Sequence, residues 1–161
     1  MAETLLPILC DTWTWDPNNW CTTKFNKNGT GELYCRVEFN LFIAAEFDWK
    51  AQSKQQIEAS FPATIDIDMT LSKRNIDTPN LIKAEVLEDA AFRLKTYRLQ
   101  LEKGSFQVTG RTTYGSNPIY KYRLLWDKSP YPPLDEWKYQ PPAKAGKYWE
   151  RKDFYQSKIE A

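Results

Sequence analysis

Four carboxylates, Glu38, Glu46, Asp66 and Asp68, lie in segments where apolar and polar residues alternate. A strand that carries such a group into an apolar interior raises its pKa towards neutrality, where it can donate or accept a proton. Asp66 and Asp68 are two positions apart and share one face, so both enter a polar lumen or both stay outside in water, as unpaired carboxylates more commonly do. Arg93, Arg98, Arg111 and Arg123 alternate with apolar residues further along. Turned inward, an arginine holds a phenolate or enolate; turned outward, it pairs with a carboxylate across the sheet. Tyr97, Tyr120 and Tyr122 offer a hydroxyl to a carbonyl, or serve as core rings with one wet end. Within this set Glu38 and Asp68 are the expected acid and base, and Arg98 and Arg123 the expected holders of an oxyanion.

The segment "DTWTWDPNNWC" places three tryptophans in eight positions. Trp13 and Trp15 share a strand face, which suits the floor of a core or the wall of an aromatic ligand site. Trp15, Trp20, Tyr97 and Tyr122 are the expected ligand-facing residues.

The composition narrows the chemistry. There is no histidine among the 161 residues, which removes histidine-activated serine or cysteine nucleophiles and histidine-bound zinc, iron or haem. Acid–base work falls to Asp, Glu, Tyr, Lys or Cys. Cys10, Cys21 and Cys35 are odd in number and lack CxxC spacing, so reduced thiols are the simplest reading. With 22 basic and 21 acidic residues the formal charge is +1, too small to point to nucleic acid or an anionic membrane. No phosphate-binding glycine loop, dinucleotide fingerprint or metal-ligand cluster occurs, so no cofactor and no metal are expected.

The elements that must position these residues are strands. "GELYCRVEF" alternates Leu33, Cys35, Val37 and Phe39 against Glu32, Tyr34, Arg36 and Glu38. The Asn28-Gly29 turn before it predicts a hairpin of 20–25 with 33–39. "NLFIAAEF" reads as a further strand, although its alanines also permit a helix, and "ATIDIDMTLS" shows the cleanest alternation in the chain. "LIKAEVLE", "AFRLKTYRLQLEK", "SFQVTGRTTY" and "IYKYRLLWD" read as four more strands separated by turn groups such as "KGS" and "GSNP". "KYWERKDFYQSKIE" ends the chain as a strand or a short helix. Eight to nine strands at hairpin spacing predict an all-β antiparallel up-and-down barrel. A barrel of this strand number can hold one small ligand. Residues 1–161 form a single domain in this reading, with the proline-rich segment 128–146 as a cap that buries Tyr131, Trp137 and Tyr139, and "LDEW" as one helical turn.

A tryptophan leading the first strand of such a barrel resembles the lipocalin and wider calycin pattern, whose opening motif is Gly-x-Trp; Asp11-Thr12-Trp13 and Trp13-Thr14-Trp15 lack the glycine. Together with "GELYCRVEF", "FDWK" and "YKYRLLWDKSPYPP", the chain is similar to small lipocalin-like proteins of fungal secondary-metabolite clusters. That resemblance implies a cofactor-independent cyclase or isomerase acting on an aromatic or polyketide-derived, prenylated or unprenylated, small molecule, by intramolecular hydroalkoxylation or pericyclic closure. The competing function is a lipocalin-like carrier of an apolar molecule; a filled barrel acting as an interaction subunit is the third. The expected partner is a small hydrophobic or aromatic ligand, with no nucleic acid and no membrane, and a homodimer is left open. The start "MAETLLPILC" has no basic n-region and only a short apolar run, which predicts a cytoplasmic protein.

Overall fold

The computed structural model describes residues 5–17, 19–37, 40–52, 61–72, 87–108, 118–138 and 147–159. Eight strands close into one antiparallel barrel in which sequence neighbours pair throughout: β1 Thr12–Thr14, β2 Cys21–Phe25, β3 Thr30–Val37, β4 Asn40–Ala51, β5 Ala63–Ser72, β6 Lys95–Gln107, β7 Ile119–Trp126 and β8 Asp153–Ile159. The first and last strands meet at Thr14 and Tyr155. A short helix, α1 (Leu5–Leu9), precedes β1 and buries Leu5 and Leu9 in the core.

The period-two pattern does what alternation requires. On β5, Ala63, Ile65, Ile67, Met69 and Leu71 point inward, and Thr64, Asp66, Asp68 and Thr70 point outward. Leu33 and Cys35 on β3, Phe47 on β4, Leu99 and Leu101 on β6, and Leu124 on β7 complete the lining. "NLFIAAEF" is strand rather than helix, since its register against β3 turns Ala45 and Phe47 into the barrel. Between β2 and β3, Gly29 has φ +88°, a left-handed turn that glycine adopts without steric cost.

Aromatic rings fill the middle of the barrel. Phe25 meets Phe47 edge-on at 5.6 Å and stacks on Trp126 at 5.8 Å, and Trp126 in turn takes the edge of Tyr97 at 5.2 Å. Trp13 is fully buried and donates its indole N–H to the Leu9 carbonyl at 3.0 Å, tying α1 to the barrel.

Two expectations change, and a third falls mostly outside the described residues. "KGS" does not end a strand: β6 runs on to Gln107, with a register shift against β7 between Lys103 and Phe106. Glycine at 104 serves a bulge there instead of a turn. Most of "LIKAEVLE" lies outside the described residues; its Leu87 makes a single bridge to Trp137. Finally, Cys21 and Cys35, directly opposed on β2 and β3, form a disulfide, leaving Cys10 free. The odd cysteine count hid this pairing, because register rather than number brings two thiols together.

Candidate functional site

The described residues that follow β7, 127–138, pack back against the barrel core through Tyr131, Leu134 and Trp137. Tyr131 and Trp137 are buried. The Tyr131 hydroxyl donates to the Tyr34 carbonyl at 2.6 Å, and the Trp137 indole donates to the Pro132 carbonyl at 2.9 Å. "LDEW" supplies a single 3-10 turn, Leu134–Glu136, whose last residue places its carboxylate on the Lys95 ammonium at the start of β6. Tyr139 lies outside the described residues.

Beneath this cap is a pocket of about 300 Å³, lined by Lys95, Tyr97, Lys128, Ser129, Tyr131, Pro133, Glu136 and Trp149. Its volume is at the small end of sites that take small organic molecules. Tyr97 links it to the barrel interior through its ring contact with Trp126. Lys128 holds its ammonium 5.1 Å from the centre of the Tyr97 ring, a cation over an electron-rich face. Lys95 and Glu136 are both well shielded from solvent, at 21% and 14% side-chain exposure, so their pairing is stronger than that of a surface salt bridge.

The Tyr97 hydroxyl is held well above the ordinary tyrosine range, first by burial and then by the Glu136 and Asp127 carboxylates. It therefore stays a protonated donor. An unfolded tyrosine ionises near pH ~10, so above that point the folded state retains a proton that the unfolded chain has lost. Stability is expected to fall as pH rises past this value, by about 1.4 kcal/mol per pH unit for this group. Denaturant titrations between about pH 9 and about pH 11 check this. Tyr97→Phe flattens the decline but does not abolish it, because burial and Asp16 also raise the Tyr120 hydroxyl.

No protein family, curated protein or solved structure matches this chain. Of the expected ligand-facing set, Tyr97 lines the pocket. Tyr122 is buried in the barrel, with its ring 6.0 Å from Phe61. Trp15 packs at the core margin with the Arg151 guanidinium 3.9 Å over its ring. Trp20 belongs to the β1–β2 loop, where its backbone N–H donates at 3.1 Å to the buried Asp16 carboxylate.

The expected catalytic residues are not brought together. Glu38 lies outside the described residues, as does Arg111. Asp68 faces outward and accepts hydrogen bonds from Gln52 and Thr96, both at 3.0 Å, which lower its pKa. Arg98 is exposed and pairs with Asp66 directly across the sheet at 2.9 Å. Arg123 pairs with Glu102 in the same way at 2.9 Å and lies 4.6 Å over the Phe106 ring. Glu46 stands opposite Glu32 on the outer face, and Arg93 is exposed. Asp66–Arg98 and Glu102–Arg123 are the cross-strand pairs that the alternation also allowed, whereas Arg93 follows the 3-10 turn Asp89–Phe92 and lies on no strand.

Sequence reasoning missed Lys95, Lys128, Ser129, Glu136 and Trp149. The meeting of Lys95 with Glu136, 41 positions apart, has no local signature. No helix of the described residues is long and apolar enough to cross a membrane.

Proposed function

We propose that the chain binds a small aromatic molecule in the pocket under the cap and converts it without a cofactor, as a cyclase or isomerase. The observation that supports this is the Lys95–Glu136 pair beside the protonated Tyr97 hydroxyl in a pocket walled by Tyr131, Pro133 and Trp149. A carboxylate, an ammonium and a phenol suffice for a mass-neutral proton relay that needs neither histidine nor metal. For closure of a hydroxyl onto an alkene conjugated to a carbonyl, Glu136 accepts the hydroxyl proton as the C–O bond forms. Tyr97 hydrogen-bonds the carbonyl oxygen where negative charge develops, and Lys95 returns a proton to carbon. Polyketide-derived or prenylated phenols are the substrate class in this reading, and a cytoplasmic setting remains part of it, although a Cys21–Cys35 bond is more at home in an oxidising compartment.

A carrier is the second reading, and it is favoured by the outward pairing of Asp68, Arg98 and Arg123. One experiment separates the two. The protein is mixed with a panel of prenylated and polyketide-like phenols, binding is followed by quenching of tryptophan emission, and products by chiral chromatography with mass detection. A product of unchanged mass, with the rate reduced about 100-fold or more in Glu136→Gln while quenching persists, is the expected result. Quenching without product supports the carrier, and neither signal across the panel overturns both.

A further inference from the structure

The two lysines of the pocket are held differently. Lys95 is matched by Glu136, whereas the contact Lys128 makes in the structure is with the Tyr97 ring instead of a carboxylate. Asp127, the neighbouring acid, turns its carboxylate to backbone N–H groups, those of Arg98 and Lys128, both at 3.0 Å. Tyr97 lines the same space, and burial and the Glu136 and Asp127 carboxylates keep its hydroxyl protonated. The pocket thus presents the Lys128 ammonium, which pairs directly with no carboxylate among the described residues, beside the rings of Tyr97, Tyr131 and Trp149.

Resting on the pocket reading above, we propose that this site selects a monoanionic aromatic ligand, an aryl carboxylate or a phenolate. The ring packs against Tyr131 and Trp149, and the anionic oxygen is held by Lys128 and the Tyr97 hydroxyl. Lys128 is at the exposed lip, where its charge attracts an anion from solution and becomes less screened as the ligand excludes water. Charge, in addition to shape, then sets specificity, because a neutral isostere leaves the ammonium without its partner.

The test compares naphthalene-2-carboxylate with 2-naphthamide, which has nearly the same shape and no charge, by isothermal titration calorimetry. The carboxylate is expected to bind at least tenfold more tightly in the wild-type protein. That preference collapses in Lys128→Met, survives in Lys128→Arg, and shrinks at high salt. Thermal midpoints of both variants stay close to the wild-type value, since the side chain is exposed and a cation–ring contact at an exposed site contributes little. Equal binding of acid and amide overturns the charge selection while leaving an aromatic pocket standing. Binding of neither overturns the pocket reading itself, and this inference with it.

Discussion

Gly31→Ala is expected to destabilise the barrel by at least about 3 kcal/mol, an overpacking penalty combined with partial loss of a core ring. Gly31 lies between Phe25 on one neighbouring strand and Phe47 on the other in direct register. Because it has no side chain, the Phe47 ring closes over it. A methyl group built at this position would fall far inside contact distance of both the Phe47 ring and the Lys24 carbonyl. The carbonyl belongs to the β2–β3 ladder and cannot withdraw without breaking pairing, so Phe47 has to move. Its displacement opens the packing around Phe25, Trp49 and Trp126, since Phe25 touches all three other rings. Denaturant unfolding followed by tryptophan emission measures the loss. A Gly31→Ala protein with the wild-type midpoint would show that the rings do not pack this way.

Trp126→Ala should cost about 3–5 kcal/mol, the usual range for emptying a large aromatic site in a core. Trp126 is 3% exposed and touches Phe25, Tyr97 and Phe154, so no single neighbour can collapse into the space. Its indole nitrogen is buried without a hydrogen-bond partner. Trp126→Phe therefore removes an unsatisfied donor along with some packing, and the two effects oppose each other. The phenylalanine variant is expected to lose about 2 kcal/mol or less. Because Tyr97 rests its edge on this ring, Trp126→Ala should also weaken any ligand held in the pocket above it. Calorimetric unfolding of the pair of variants, alongside naphthalene-2-carboxylate titration, distinguishes a packing role from a spectator: equal midpoints for both would contradict the first expectation.

The barrel was legible because alternation is a local property. In "ATIDIDMTLS" each apolar residue marks the inner face and each polar one the outer, and the whole strand follows once one side chain is buried. The Asn28-Gly29 turn, the strand nature of "NLFIAAEF" and the helical turn in "LDEW" could be read for the same reason: each rests on residues within a few positions. Gly104 was read as a turn because glycine marks turns and bulges alike, and only pairing with β7 distinguishes them. For Asp68, Arg98 and Arg123, alternation gave the face opposite the apolar side chains but not whether that face lines a polar lumen or meets water. Which face is outer depends on the register of neighbouring strands, where Asp66 meets Arg98 and Glu102 meets Arg123.

The amino-acid order alone determined the all-β character, the up-and-down order of the strands and the freedom from histidine chemistry. These follow from composition and from periodicities a few residues long. Tertiary structure decided the rest. It joined Cys21 to Cys35, filled the barrel centre with rings from five strands, and built the pocket from β6 and the connection to β8. Each of these is a contact between residues far apart in the chain, created by barrel closure, and closure is a property of all eight strands together.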